Sequence, residues 1–227
     1  MRVAALFSGG KDSTLAARLA EEDGHQVPYL VTMRSRNPDS YMFHTVNIDT
    51  AGLQAEAWGK QWVQAWTAGE KEKELDDLKA ALEGLPIEGV VSGAIASSYQ
   101  RERVERICGE LGLTHLSPLW GRGREELLRL VLSKGMKVIF TAVAARGLDE
   151  SWLGRRLDEA AVKELLALSR YYGVDPCGEG GEYESMVLDA PWFRKKVVVS
   201  KAEKTWDGVS GRYVIREARL REKGLGS

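Results

Sequence analysis

Residues 8–13 read Ser-Gly-Gly-Lys-Asp-Ser, which puts hydroxyls, two glycines, a cation and a carboxylate in six consecutive positions. Gly9 and Gly10 lack a Cβ, so the chain can turn sharply there and approach an anion closely. The loop follows an apolar run, Val3–Phe7, and precedes an Ala/Leu-rich helical stretch. Loop N–H groups and a helix N-terminus then converge on one spot that favours negative charge. Ser8 and Ser13 add hydroxyl donors and Lys11 a mobile cation. Asp12 would repel a phosphate unless a divalent metal lies between them, and Mg²⁺ bridging the carboxylate and phosphate oxygens resolves that conflict. The pattern is neither G-x-x-x-x-G-K-[ST] nor G-x-G-x-x-G, so both the P-loop and the dinucleotide fingerprint are disfavoured.

A second constellation covers residues 178–185, Gly-Glu-Gly-Gly-Glu-Tyr-Glu-Ser. Its glycines permit unusual backbone conformations. Its three carboxylates repel one another unless they bind a cation, an ammonium group or water. A flexible acidic surface loop is the plainer reading, against which Tyr183 stands, because an aromatic between Glu182 and Glu184 usually packs somewhere.

The elements that must carry these loops alternate. Strands are expected at Val3–Phe7, Gln26–Met33, Gln61–Thr67, Glu88–Ser92 and Thr114–Ser117. Helices are expected at Ser13–Glu22, Thr50–Trp58, Glu70–Glu83 and Ser97–Leu111, with a turn at Asn37-Pro38-Asp39. That pattern is α/β: a five-stranded parallel sheet with helices on both faces and right-handed crossovers. Ligands in such sheets sit beyond the carboxyl ends of the strands. Trp58, Trp62 and Trp66 are read as core packing. Past Trp120-Gly121-Arg122-Gly123 the chain reads as a smaller α+β C-terminal domain. Its helices are Glu125–Leu132 and Leu157–Tyr172. Its strands are Lys137–Ala145, Ser185–Leu188, Lys196–Ser200 and Arg212–Ala218, the last two joined through Asp207-Gly208. The expected division is 1–120 for nucleotide binding and 121–227 for substrate recognition.

The chain has 227 residues and net charge −1, so no global field favours nucleic acid. From Arg194 to Lys223, however, ten Lys/Arg face four Asp/Glu; the local excess is either a solvated face or a docking surface for an acidic or RNA-bearing partner. Cys108 and Cys177 are far apart, which suggests a reducing interior. His25, His44 and His115 show no zinc spacing. With no signal segment and no apolar run near the ~20 residues of a membrane span, a soluble cytoplasmic protein is expected.

Ser8–Ser13 resembles the pyrophosphate loop of the N-type ATP pyrophosphatases, whose core is HUP-like, that is, adenine nucleotide alpha hydrolase-like. Glu179-Gly180-Gly181-Glu182-Tyr183-Glu184-Ser185 resembles the E-G-G-E-[FY]-E-[ST] motif of the diphthine–ammonia ligase family within that superfamily. Further similarity lies at Met42-Phe43-His44, Gly93-Ala94-Ile95, Ser98-Tyr99-Gln100, Leu111-Gly112-Leu113, Pro118-Leu119-Trp120 and Gly147–Gly154. It runs from residue 1 to about residue 220. The resemblance implies the last step of diphthamide synthesis: ATP-dependent amidation of diphthine on elongation factor 2, yielding AMP and pyrophosphate. Some short members are assigned instead to amide chemistry in cobalamin salvage, so the acceptor stays open, as does a nucleotide-binding sensor without turnover. The absence of extra C-terminal domains seen in eukaryotic relatives points to an archaeal source.

On this reading Ser8, Gly9, Gly10, Lys11 and Ser13 bind the pyrophosphate and Asp12 holds Mg²⁺. Adenine rests near Val31–Met33 and the backbone at Gly93, and His44 is either a phosphate contact or an ordinary structural histidine. Gly178–Ser185 form the substrate side, with Glu182 and Glu184 beside Tyr183 suited to the quaternary ammonium of diphthine or to taking the proton that ammonium must lose. No glutaminase cysteine–histidine pair is evident, so free ammonium is the expected nitrogen source. Cys177 is a candidate thiol, Asp149 and Glu150 are candidates for capping at Ser151, and a homodimer is an open expectation.

Overall fold

The computed structural model describes residues 1–35, 47–68 and 73–224. The chain forms two compact units, Met1–Glu56 with Lys60–Gly121 and Ala57–Gly59 with Arg122–Ser227. Among the described residues no helix is long and apolar enough to cross a membrane.

In the first unit the strands are β1 (Arg2–Leu6), β2 (Gln26–Ser35), β3 (Gln61–Thr67), β4 (Gly89–Val91) and β5 (Thr114–Leu116). They pair in parallel in the order β3-β2-β1-β4-β5. The helices are α1 (Lys11–Glu22), α2 (Ala51–Trp58), α3 (Lys73–Glu83) and α4 (Ser98–Leu111). Side chains alternate across a strand. Ala4, Tyr29, Val31, Met33 and Val90 therefore share one face, where they pack with Leu75, Leu78 and Leu82 of α3 and Val104 and Ile107 of α4. Val3 and Ala5, fully buried, point the other way, toward the side of β1 that α1 covers with Leu15, Ala16 and Ala20. The chain enters β2 and β3 on one side of β1 and β4 and β5 on the other. The order reverses between β1 and β4, and a crevice opens at their carboxyl ends.

The tryptophan reading needs correction. Trp58 is buried, and Trp62 donates through Nε1 to Thr32 Oγ1 at 2.9 Å. Trp66 is 53% exposed. It lies near the end of an edge strand, where the Arg34 guanidinium stacks 4.2 Å from its ring centre instead of core atoms.

The second unit holds α5 (Arg124–Ser133), β6 (Lys137–Val143), α6 (Glu159–Tyr172), β7 (Tyr183–Asp189), β8 (Lys195–Trp206) and β9 (Gly211–Glu222). Its sheet is antiparallel, β7-β6-β9-β8. Phe140 anchors its core, with Trp152 and Tyr183 edge-on at 5.0 Å each. Helix α6 starts after Asp158, whose carboxylate accepts from Ala161 N at 2.8 Å. Asp149 caps a single 3₁₀ turn, accepting from Ser151 N at 2.9 Å. The last two strands run well beyond Lys196–Ser200 and Arg212–Ala218. Their outer pairs, such as Glu203 with Val214 and Thr205 with Arg212, carry little apolar alternation and are held by the backbone ladder. Asp207 closes the turn by accepting from Val209 N and Ser210 N.

Candidate active site

The chain leaves β1 at the point where the sheet order reverses. Phe7 N still donates to Val31 O at 2.8 Å, and Ser8 begins the loop. Gly9 has φ +79°, a conformation side chains rarely adopt, and a Cβ there would lie 2.0 Å from Gln54 Oε1. Gln54, fully buried on α2, donates through Nε2 to Gly9 O at 2.7 Å and fixes the bend. Gly10 is ordinary extended backbone at φ −75° and is the N-cap of α1, with no side-chain cap. By contrast Ser97 and Asp158 cap α4 and α6 through their side chains. The N–H groups of Gly9 and Ser13 have no hydrogen-bond partner among the described residues. Ser13 Oγ instead braces the turn, accepting from Ser8 N at 3.3 Å and donating to Gly10 O at 3.2 Å. Thr14 Oγ1 donates to the same carbonyl at 2.8 Å.

Lys11 is not a mobile cation. It is 2% exposed, and its ammonium donates to Asp12 Oδ2 at 2.8 Å. The Asp12 side chain stays 28% exposed. A positive charge is thus held in place beside a reachable carboxylate.

Gly93 belongs to the same site for a steric reason. A Cβ there would lie 2.9 Å from both Asp12 C and Ser13 N, so the turn after β4 rests on the first turn of α1. The preceding Ser92 is buried and bonds through Oγ to His115 Nε2 at 2.8 Å, while Ser117 Oγ reaches the same nitrogen at 3.1 Å. Burial holds the His115 pKa below its usual value; Glu105 opposes that shift and Arg101 reinforces it. Met33 and Val31 lie in the apolar cluster beneath the sheet, so only their backbone faces the strand ends. His44 and the turn at residues 37–39 lie outside the described residues.

The acidic loop is built differently. The Glu182 carboxylate turns inward and accepts from Asp175 N at 3.0 Å and Gly180 N at 2.8 Å. Asp175 accepts from Cys177 N at 2.8 Å and from Arg124 Nε at 2.8 Å. Arg124 thereby puts a cation beside the carboxylates. Gly178 has φ +76°, and a Cβ on it would lie 2.9 Å from Tyr183 O. Tyr183 is 4% exposed, with its hydroxyl on Pro176 O at 2.8 Å and its ring on Phe140. The structure therefore makes Tyr183 a packing residue rather than a face for a cation. Glu179, Glu184 and Ser185 are half-buried, and Gly180 and Gly181 are exposed.

Cys177 is buried and donates to Arg124 O at 3.4 Å. Burial first, and Glu105 next, push the Cys108 thiol up to about 11. The Cys108 thiol is therefore not poised as a nucleophile at neutral pH.

Gln54, Ser92, His115, Arg124 and Asp175 escaped the sequence reading. Each acts on a loop distant in the chain, and Arg124 and Asp175 are 51 residues apart. Only Gln54 left a trace, as a polar residue between the buried Ala51 and Ala55 of α2.

Residues 1–115 match the family model for the diphthamide synthase N-terminal domain, and residues 123–220 match that for its C-terminal domain. Proteins named diphthine–ammonia ligase from Mus musculus and Homo sapiens are 42% and 40% identical, the alignments covering 89% of this chain and 84% of each relative. That of Schizosaccharomyces pombe is 37% identical over 89% of this chain but only 37% of its own length. The extra length expected of eukaryotic relatives thus belongs to the yeast protein and not to the mammalian ones. A solved chain titled predicted subunit of tRNA methyltransferase, from Methanocaldococcus jannaschii, aligns at 17% identity and a TM-score of 0.48 over 84% of this chain and 98% of its own, a likeness too weak to bear on function. With both family domains matched in order, and relatives of the same name at this level of identity, the chain belongs to the diphthamide synthase family.

Proposed function

We propose that this chain is a diphthine–ammonia ligase that activates the diphthine carboxylate of elongation factor 2 with ATP and amidates it with ammonium. The observation that carries the reading is the bend at the β1/β4 crevice, with an uncapped helix N-terminus and a buried lysine fixed on Asp12. The name of the relatives supports the choice of substrate.

A carboxylate resists amidation because hydroxide leaves poorly. Attack of its oxygen on the α-phosphorus of ATP expels pyrophosphate and gives an acyl adenylate. Ammonia then attacks the carbonyl carbon and AMP leaves. Charge grows on the departing pyrophosphate, and fixed donors aimed at it lower the barrier without reorganising. Gly9 N, Ser13 N and the α1 N-terminus supply those donors, and Lys11 supplies the charge. Gly93 brings the β4 turn against this loop, where ribose and adenine lie along the strand ends. Asp12 suits Mg²⁺, since such sites draw one or two carboxylates from the protein and the remaining oxygens from phosphate. When bound there, the ion neutralises part of the triphosphate charge.

In the second unit Glu182 shapes the loop, because both its oxygens already accept N–H groups. Glu179 and Glu184 supply the negative charge that attracts the quaternary ammonium of diphthine and takes the proton lost by ammonium. Residues 1–120 thus handle the nucleotide and 121–227 the modified side chain. Incubation with ATP, Mg²⁺, ammonium and diphthine-bearing factor should release AMP and pyrophosphate and replace one hydroxyl of the factor by an amino group. Pyrophosphate release that ignores the factor would overturn the assignment.

A further inference from the structure

The β8–β9 ribbon carries charge that the rest of the molecule does not answer. Its cross-strand pairs mostly obey electrostatics. Lys195 meets Glu222 at 3.2 Å, Arg216 meets Glu203 at 2.8 Å, and Lys201 lies opposite Glu217. One group breaks the rule. Lys196 lies directly across from Arg221, and Val198, two residues on, lies across from Arg219. Opposite residues, and residues two apart on a strand, share a face. Three cations therefore surround one valine, and none of the three has a carboxylate partner among the described residues. Arg219 and Arg221 are exposed, and Lys196 and Val198 half-buried. Like charges directly opposite destabilise a strand pair. Elsewhere the chain is acidic: the excess of six positive charges in 194–223, against a net charge of −1, leaves −7 for the remainder.

We propose that this face of the ribbon docks an acidic patch on the protein substrate, with Lys196, Arg219 and Arg221 as charged rim around Val198. The inference rests on the ligase reading above and adds the chemistry of the partner. An apolar centre ringed by charge is the layout of a protein–protein contact. A nucleic-acid face would instead interleave aromatic platforms with its cations, and none stands among Lys196, Val198, Arg219 and Arg221. Complementary charge of this kind acts on the encounter rate and on its salt dependence.

The test uses the full chain with charges reversed, K196E/R219E/R221E, and neutralised, K196Q/R219Q/R221Q. Pyrophosphate release is followed at varied concentrations of diphthine-bearing factor. The reversed variant should raise KM for the factor about tenfold or more, with the neutral one between, while KM for ATP and kcat hold. The wild-type KM should rise with salt, and that of the reversed variant should not. The neutral variant should not lower the thermal midpoint, since repulsion is removed there, whereas the reversed one keeps like charges facing each other; a lowered midpoint in the neutral variant with unchanged KM would show a purely structural role and overturn the docking. Equal KM for the factor in all three proteins would also overturn it and leave the ligase reading intact. So would loss of single-stranded RNA binding with KM for the factor unchanged. Absence of turnover by the wild type would overturn both.

Discussion

The two glycine-rich loops to which the proposed chemistry is assigned treat their backbone donors in opposite ways. In Ser8–Ser13 the side chains brace the bend from behind, and the N–H groups of Gly9 and Ser13 bond to nothing among the described residues. In the loop at 178–185 the Glu182 carboxylate consumes the N–H groups of Asp175 and Gly180 itself. Glycine content is alike in the two, but one loop is shaped to receive an anion and the other to display carboxylates. A glycine loop is therefore read by where its donors end up rather than by its composition.

Lys11→Ala should strike hardest, because it removes the fixed charge of the donor loop. Loss of such a group costs roughly 10²–10³ in kcat, and nucleotide affinity should fall with it. Steady-state kinetics and nucleotide titration check this. Retained affinity would mean that the loop does not hold the triphosphate. Gly9→Ala should follow. A side chain at φ +79° costs about 1–2 kcal/mol, and the methyl must also displace the Gln54 amide. Nucleotide affinity should drop about tenfold, and Gln54→Ala should restore part of it by removing the clash while leaving the strained φ. A double-mutant cycle with no coupling between the two sites would deny the brace.

Glu182→Ala should act on the other loop alone. It strips the acceptor from two N–H groups, at about 1–2 kcal/mol of local order. Turnover should collapse and hydrogen exchange at Asp175 and Gly180 should accelerate, with nucleotide affinity unchanged. Glu182→Gln, which keeps one acceptor oxygen, should recover part of both. If either Glu182 variant weakens nucleotide binding as much as Lys11→Ala does, the division of labour fails.

The sheet and the first loop were legible because their signals are local. Val3–Phe7 is a buried run, and the loop and helix start lie within a few residues of it. Alternating elements then dictate parallel pairing. The inward turn of Glu182 was not legible, because a carboxylate reads the same in sequence whether it faces solvent or a backbone N–H. The burial of Lys11 was hidden for the same reason, since lysine is ordinarily an exposed residue. Trp66 misled through its spacing: period two describes a strand face, but an edge strand leaves the end of that face uncovered.

The smallest effect probes what supports the donor loop. His115 faces Ser92 and Ser117, with Glu105 and Arg101 of α4 beside it. Its folded pKa lies below the ordinary 6.5 because burial disfavours the charged ring. As pH falls through 6.5 the unfolded chain takes up a proton that the native protein does not, so stability is full above that value and declines below it. The carboxylates held below their usual range, such as Glu164 and Asp149, lose their contribution only at lower pH, from 4.5 downward. Urea midpoints at pH 7.5 and 5.5 should therefore drop more for the wild type than for His115→Asn. Nucleotide affinity should weaken only at lower pH, once the folded ring itself takes up a proton, because Ser92 leads directly into the Gly93 turn that rests on Asp12 and Ser13. Parallel slopes for the two proteins would detach His115 from the loop and leave Gln54 as its main support.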